Sequence, residues 1–165
     1  MAFFFSQFTD AEIFIEKSFS FQLNGKKKSI RPDITIKREN LVTNFFDVKM
    51  DLGWKRSEFA DYCVEKSKII KEMRGQQVDF WKGYPVLLND ELKYEIIIIS
   101  KENISKEILN KNLDKIREAN IDNEVPIYFL TNKVHPNHGD SQFARDNIEI
   151  NDEQLNELRE KIRII

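Results

Sequence analysis

The sequence predicts a mixed α/β domain in which helices pack on one mixed sheet. Three observations carry this. The first third is strand-prone and contains the strong hairpin signal Asn24-Gly25. From about residue 55 onward, helical periodicity alternates with short apolar runs. The chain has 165 residues, 41% of them hydrophobic, which suits one core-forming domain over residues 1–165.

The elements follow in order. Thr9-Asp10-Ala11-Glu12 has the form of a capping box and opens a helix to about Lys17, with Glu12 and Glu16 four apart on one face. Phe19, Phe21 and Leu23 alternate with polar residues as a half-buried strand. After Asn24-Gly25 the return strand covers Ser29 to Lys37. A turn at Arg38-Glu39-Asn40 leads into a third strand, Val42 to Met50. Lys55 to Arg74 is helical, with a stripe of Phe59, Tyr62, Cys63, Lys66, Ile69, Ile70 and Met73 facing the core and Gly75 as its stop. Gln76 to Leu92 has no clear period. Tyr94 to Ile99 is a strand buried on both faces. Ser105 to Asn120 is a helix with Ile108, Leu109, Leu113 and Ile116 inward. Val125 to Leu130 is another buried strand, and Asp152 to Lys161 a closing helix. The core therefore spans about 9–130, with a C-terminal helical extension. Strands joined by tight turns should pair antiparallel, and those separated by helices should add in parallel.

Composition excludes several classes. No apolar run approaches the roughly 20 residues of a membrane span. Met1 to Phe8 is Phe-rich without a basic start or a small-residue cleavage site, which speaks against a signal peptide and for a cytoplasmic protein. The single cysteine, Cys63, excludes an internal disulfide or a Cys-based zinc site, and on its apolar stripe it reads as core. Net charge is −2, but residues 1–25 carry −2, residues 26–74 carry +5 and residues 75–165 carry −5. The basic middle third is a candidate footprint for a polyanion, or a set of solvated faces.

That basic third contains the informative constellation. Arg31-Pro32-Asp33-Ile34-Thr35-Ile36 precedes Phe46-Asp47-Val48-Lys49 on the next strand. Side chains alternate along a strand, so Asp47 and Lys49 share one face while Phe46 and Val48 share the other. Antiparallel pairing brings Asp33 alongside, and Pro32 is tolerated near a strand's start. Two hard carboxylates suit Mg²⁺, which is held by one or two of them plus waters and substrate phosphate. The alternative is a cross-strand ion pair between Asp33 and Lys49 on a solvated face.

At these residues, Pro32-Asp33 followed by Asp47-Val48-Lys49, the chain resembles the PD-(D/E)xK nuclease superfamily. The order of elements over about residues 9–100 is also similar. The resemblance implies a restriction-endonuclease-like core and a Mg²⁺-dependent endonuclease, with Mn²⁺ able to substitute and DNA the favoured substrate. It further implies that Asp33, Asp47 and the Val48 backbone carbonyl bind the metal and that Lys49 serves the water nucleophile. Many members add a first-helix glutamate, here Glu12 or Glu16, with Glu12 slightly preferred. A homodimer would allow both strands of a duplex to be cut.

Other residues invite weaker readings. Lys26, Lys27 and Lys28 follow the hairpin turn, and Lys55 and Arg56 open the helix after the third strand; all five are candidate phosphate contacts. Trp81 and Tyr84 either stack on a base or cap the core. His135, His138 and Asp140 lie in a Pro/Gly loop that reads as surface rather than as a metal site. Two competing functions remain. One is a non-catalytic nucleic-acid- or protein-binding module on the same fold, such as an inhibitor, an assembly subunit or a phage–host conflict protein. The other is an RNA endonuclease of the cap-snatching type, whose members often carry a first-helix histidine; both histidines here are far downstream.

Overall fold

A computed structural model describes residues 1–7, 9–53, 56–132 and 142–164. The elements are α1 (Ala2–Ser6), β1 (Glu12–Ile15), β2 (Phe19–Leu23), β3 (Lys26–Ile30), β4 (Ile34–Arg38), β5 (Leu41–Lys49), α2 (Phe59–Met73), β6 (Gln77–Phe80), β7 (Tyr84–Ser100), α3 (Lys106–Glu118), β8 (Ile127–Thr131), α4 (Gln142–Asn147) and α5 (Asp152–Ile164). The strands form one open mixed sheet in the order β1-β4-β5-β7-β6-β2-β3, with β8 also paired to β7. As expected, β5/β7 and β7/β8, whose connections contain helices, are parallel, and hairpin neighbours are antiparallel. No helix among the described residues is long and apolar enough to cross a membrane.

Two parts of the first third differ from expectation. The predicted helix over Thr9 to Lys17 is a strand, β1, antiparallel to β4 with Ile13 opposite Ile36. Ile13-Phe14-Ile15 is a β-prone run, and pairing it covers an edge of β4 that would otherwise expose unmade hydrogen bonds. Thr9 does not cap a helix; its hydroxyl accepts from Ala11 N–H at 3.1 Å in a local turn. The expected strand Ser29 to Lys37 is broken at Arg31-Pro32-Asp33 into β3 and β4, which lie in different parts of the sheet. Proline has no N–H for a ladder, so the chain leaves β2 there and crosses to β5. The three strands expected over Phe19 to Met50 are thus two separate hairpins, β2/β3 and β4/β5. Asn24 and Gly25 do form the turn of the first, both in the left-handed region at φ 51° and 71°.

The aperiodic stretch Gln76 to Leu92 is strand as well. β6 and β7 are joined by a tight turn, Trp81–Gly83, in which Lys82 and Gly83 have φ 65° and 80°. β7 is 17 residues long and bends where its register with β5 jumps from Val42↔Leu88 to Asn44↔Lys93. Its first part pairs β6 and its last part pairs β8. The bend folds the sheet back on itself. In a flat sheet β5 and β2 would lie about 14 Å apart, yet the Phe19 and Phe45 rings are 4.8 Å apart. Phe14 on β1 similarly meets Phe80 on β6 at 4.9 Å.

Alternation along β5 separates two cores. Phe45 belongs to the one packed with α2 and α3, and Phe46 to the one packed with α1 and α5. Phe5, Leu158 and Ile162 are fully buried in the second core, so both chain ends contribute beyond residues 9–130. On α3 Leu109, Asn112 and Ile116 are buried and Leu113 packs half-buried against the same core, while Ile108 faces solvent. Asn112 fastens α3 to the start of α2, accepting from Ala60 N–H at 2.9 Å and donating to the Arg56 carbonyl at 3.0 Å.

The second face also holds Glu95 on β7, only 1% exposed. Its carboxyl accepts from the Asn44 amide and, at 2.9 Å, from the Tyr128 hydroxyl. Burial pushes this carboxyl up, and the Asn44 and Tyr128 hydrogen bonds only partly counter it. The folded state therefore holds a proton more tightly than the unfolded chain, and stability falls as pH rises above the ordinary value of 4.5 toward the raised one. Glu95→Gln is expected to flatten that decline. Urea unfolding at pH 5 and pH 8 checks it, and an unchanged pH slope would contradict the assignment.

Candidate functional site

The break at Pro32 delivers Asp33 to the end of β5. Its Oδ2 accepts a hydrogen bond from the Val48 N–H at 2.7 Å. An extended residue directs its N–H and C=O to the same side, so the Val48 carbonyl also faces the Asp33 end of β4. Continuing the Ile34↔Phe46 register puts Pro32 opposite Val48, and proline has no N–H to offer that carbonyl. The two halves of the sequence motif therefore meet at one point.

Asp47 and Lys49 share a face of β5, as alternation requires. Lys49 Nζ lies 3.2 Å from Asp47 Oδ2, and the same oxygen accepts from the Tyr62 hydroxyl. Asp47 is 8% exposed. Burial pushes its carboxyl up, but the Tyr62 hydrogen bond and the Lys49 ammonium, helped by Tyr94 and Lys66, outweigh this and hold it below the usual carboxylate range. The ion pair is thus Asp47–Lys49, along one strand, and Asp33 engages the backbone instead.

Three further side chains complete the cluster. Tyr62 and Lys66 stand one turn apart on α2, and Tyr94 comes from β7. Lys66 Nζ sits over both rings, 5.1 Å from the Tyr62 centroid and 4.5 Å from that of Tyr94. Burial lowers the Lys66 pKa, Asp47 raises it and Lys49 lowers it again; Asp33 acts on it too. Sequence periodicity assigns Tyr62 and Lys66 to the core-facing stripe. The signal that separates them from core is the lysine itself, since a charge on an apolar stripe is costly without a partner. Cys63 beside them is core, with its thiol pushed up to about 12 by burial.

The remaining candidates stand elsewhere. Glu12 is on β1, not a helix, and pairs with Lys37 at the end of β4 remote from Asp33. Glu16 is the nearer glutamate: its N–H donates to the Asp33 carbonyl at 2.9 Å, but its carboxylate binds Arg31 at 2.6 Å. A strand separates these two glutamates along an edge, where a helix would have stacked them on one face. Lys26, Lys27 and Lys28 are exposed on β3, the last strand in the sheet order, and are not brought to Asp47. Arg56 is exposed in a short 3₁₀ turn before α2. Lys55, His135, His138 and Asp140 lie outside the described residues.

A cleft of about 700 Å³ opens beside Lys49 and Tyr62, and its walls include Asp51, Glu58, Asp61 and Glu65. Among the described residues no group of three His, Cys, Asp or Glu side chains is arranged to hold a metal. The oxygen donors at the Asp33 end are two carboxylates and the Val48 carbonyl. Asp33 Oδ1 takes no hydrogen bond from a described residue. Such a hard, incomplete donor set fits Mg²⁺, which keeps several waters, rather than zinc.

No family model matches the chain, and comparison with curated proteins and with solved structures finds no significant similarity.

Proposed function

We propose that the chain is a small metal-dependent nuclease with a restriction-endonuclease-like core, using Mg²⁺ or Mn²⁺ and favouring DNA. One observation carries the reading. The Asp33 carboxylate bonds the backbone of Val48, so Pro32-Asp33 and Asp47-Val48-Lys49 converge at one strand end, although 13 residues separate the two aspartates. Asp33, Asp47 and the Val48 carbonyl would hold the ion. When bound, Mg²⁺ supplies Lewis acidity toward a water and the scissile phosphate. Asp47 is kept ionised by Tyr62 and Lys49, and is thereby ready as a ligand. The Lys49 ammonium orients the attacking water and offsets charge developing on the phosphate. Lys66, over the two tyrosine rings, adds a second positive charge facing the same carboxylates.

Lys49→Ala is the direct test. Plasmid, single-stranded DNA and RNA are incubated with wild type and variant in Mg²⁺, Mn²⁺ and EDTA. Cleavage in wild type only, abolished by EDTA and lowered at least about 100-fold in the variant, is expected. Equal activity in both proteins, or none in wild type, sinks the reading.

A second reading, a binding module on the same scaffold, is favoured by the carboxylates lining the cleft beside Lys49, which repel phosphate and suit a basic partner. It predicts no divalent-ion affinity that depends on Asp33 and Asp47.

A further inference from the structure

The turn between β6 and β7 carries an aromatic pair on the outside of the protein. Trp81 is 43% exposed and Tyr84 64%, so neither caps the core. The Trp81 indole has an ammonium on either side of it in sequence: Lys17 Nζ lies 4.1 Å from the ring centroid and Lys82 Nζ 4.5 Å. An exposed indole with two lysines at its ring matches what unpaired nucleic acid needs, a flat face for a base and cations for its phosphates.

The backbone ties this turn to the candidate site. Trp81 N–H donates to the Ser18 carbonyl at 3.1 Å, and two residues earlier Glu16 N–H donates to the Asp33 carbonyl at 2.9 Å. Two residues of chain span at most about 7 Å, which bounds the distance from Glu16 to Ser18. The Trp81 turn and Asp33 are therefore held by the two ends of one short segment, Glu16 to Ser18. Approach from the α2 side would bring phosphates past Asp51, Glu58, Asp61 and Glu65, whereas the Trp81 side presents lysines.

We propose that Trp81, flanked by Lys17 and Lys82, is a stacking platform for an unpaired base of the substrate; this rests on the nuclease reading of the Asp33–Asp47 site. The platform selects single-stranded or frayed nucleic acid, because paired bases in a duplex bury their faces against each other. An ammonium over an exposed indole is a weak contact. It yields the ring to a base and turns to the neighbouring phosphate.

Binding and cleavage are measured separately on the full chain. Fluorescence anisotropy with labelled fifteen-nucleotide oligo(dT), oligo(U) and a duplex of equal length is recorded in EDTA, where no cleavage occurs. Trp81→Ala is expected to weaken oligo(dT) or oligo(U) binding about 10-fold, with duplex binding changed less than about two-fold and Trp81→Phe retaining most of the affinity. The two single strands distinguish DNA from RNA. Unchanged oligonucleotide affinity in Trp81→Ala overturns the platform, as does a change in oligomeric state on size exclusion without a change in affinity, which would make the patch a protein contact. Wild-type cleavage in Mg²⁺ is scored independently. Loss of binding in Trp81→Ala without any wild-type cleavage leaves the platform standing and the nuclease reading refuted. Cleavage with no Trp81 effect on binding does the reverse.

Discussion

Asp47→Asn is expected to abolish metal-dependent cleavage while leaving a folded protein. The substitution keeps one oxygen to accept from Tyr62, so the link from β5 to α2 survives. It removes the carboxylate that pairs with Lys49 at 3.2 Å and favours the charged form of Lys66. With the carboxylate gone, a hard divalent ion would lose one of the two charged ligands proposed for it. A loss of at least about 100-fold in cleavage rate is expected, with the heat of Mg²⁺ or Mn²⁺ binding lost in calorimetry. Stability should fall by only about 1–3 kcal/mol, the range for disturbing a buried polar partner. Cleavage at the wild-type rate would refute the role of Asp47; loss of activity together with global unfolding would be read from circular dichroism and urea melts, and would make Asp47 structural instead.

Phe45→Ala is expected to produce the largest loss of stability. Phe45 is fully buried, and its ring meets Phe19 at 4.8 Å across the fold of the sheet and Tyr94 at 6.4 Å on the neighbouring strand. Deleting a buried phenyl ring costs about 3–5 kcal/mol in lost burial and residual cavity. Against a typical domain stability of roughly 5–15 kcal/mol, that is a large share. For a urea slope of about 2 kcal/mol/M, the midpoint should drop by roughly 2 M. Ile15→Ala, on exposed surface of β1, should change stability by no more than about 0.5 kcal/mol. If the two variants melted alike, Phe45 would not join the two halves of the sheet. Tyr94 supports Asp47 as well as packing on Phe45, so the cavity should also loosen the site.

The site was legible where it depends on local geometry. Alternation along β5 requires Asp47 and Lys49 to share a face, and one adjacent strand suffices to bring Asp33 near. The contact Asp33 makes, with the Val48 N–H, was less legible, because it follows from where Pro32 ends the ladder. Tyr62, Lys66 and Tyr94 were hidden because helical periodicity reports only which face of α2 turns inward. It does not say that a carboxylate waits there. Glu12 and Glu16 were misplaced through a real ambiguity: Thr9-Asp10-Ala11-Glu12 has a helix-start pattern, while Ile13-Phe14-Ile15 has strand preference. The open edge of β4 decided between them.

The sequence by itself determined the mixed α/β class, the hairpin at Asn24-Gly25, helix α2 with its stop at Gly75, the parallel placement of β7 and β8, and the shared face of Asp47 and Lys49. Each depends on residues a few positions apart, or on the short reach of a turn. Only the tertiary structure decided that β1 is a strand, that Pro32 splits one expected strand between two regions of the sheet, and that the aperiodic stretch Gln76 to Leu92 forms β6 and the first part of β7. It also decided that the Trp81 turn and Asp33 both bond to the short segment Glu16 to Ser18. These outcomes depend on which strand edge remains unpaired and on how far the sheet curls to bury Phe14, Phe19, Phe45 and Phe80 together. Both are set by contacts between residues remote in the chain, and local propensity carries no information about them.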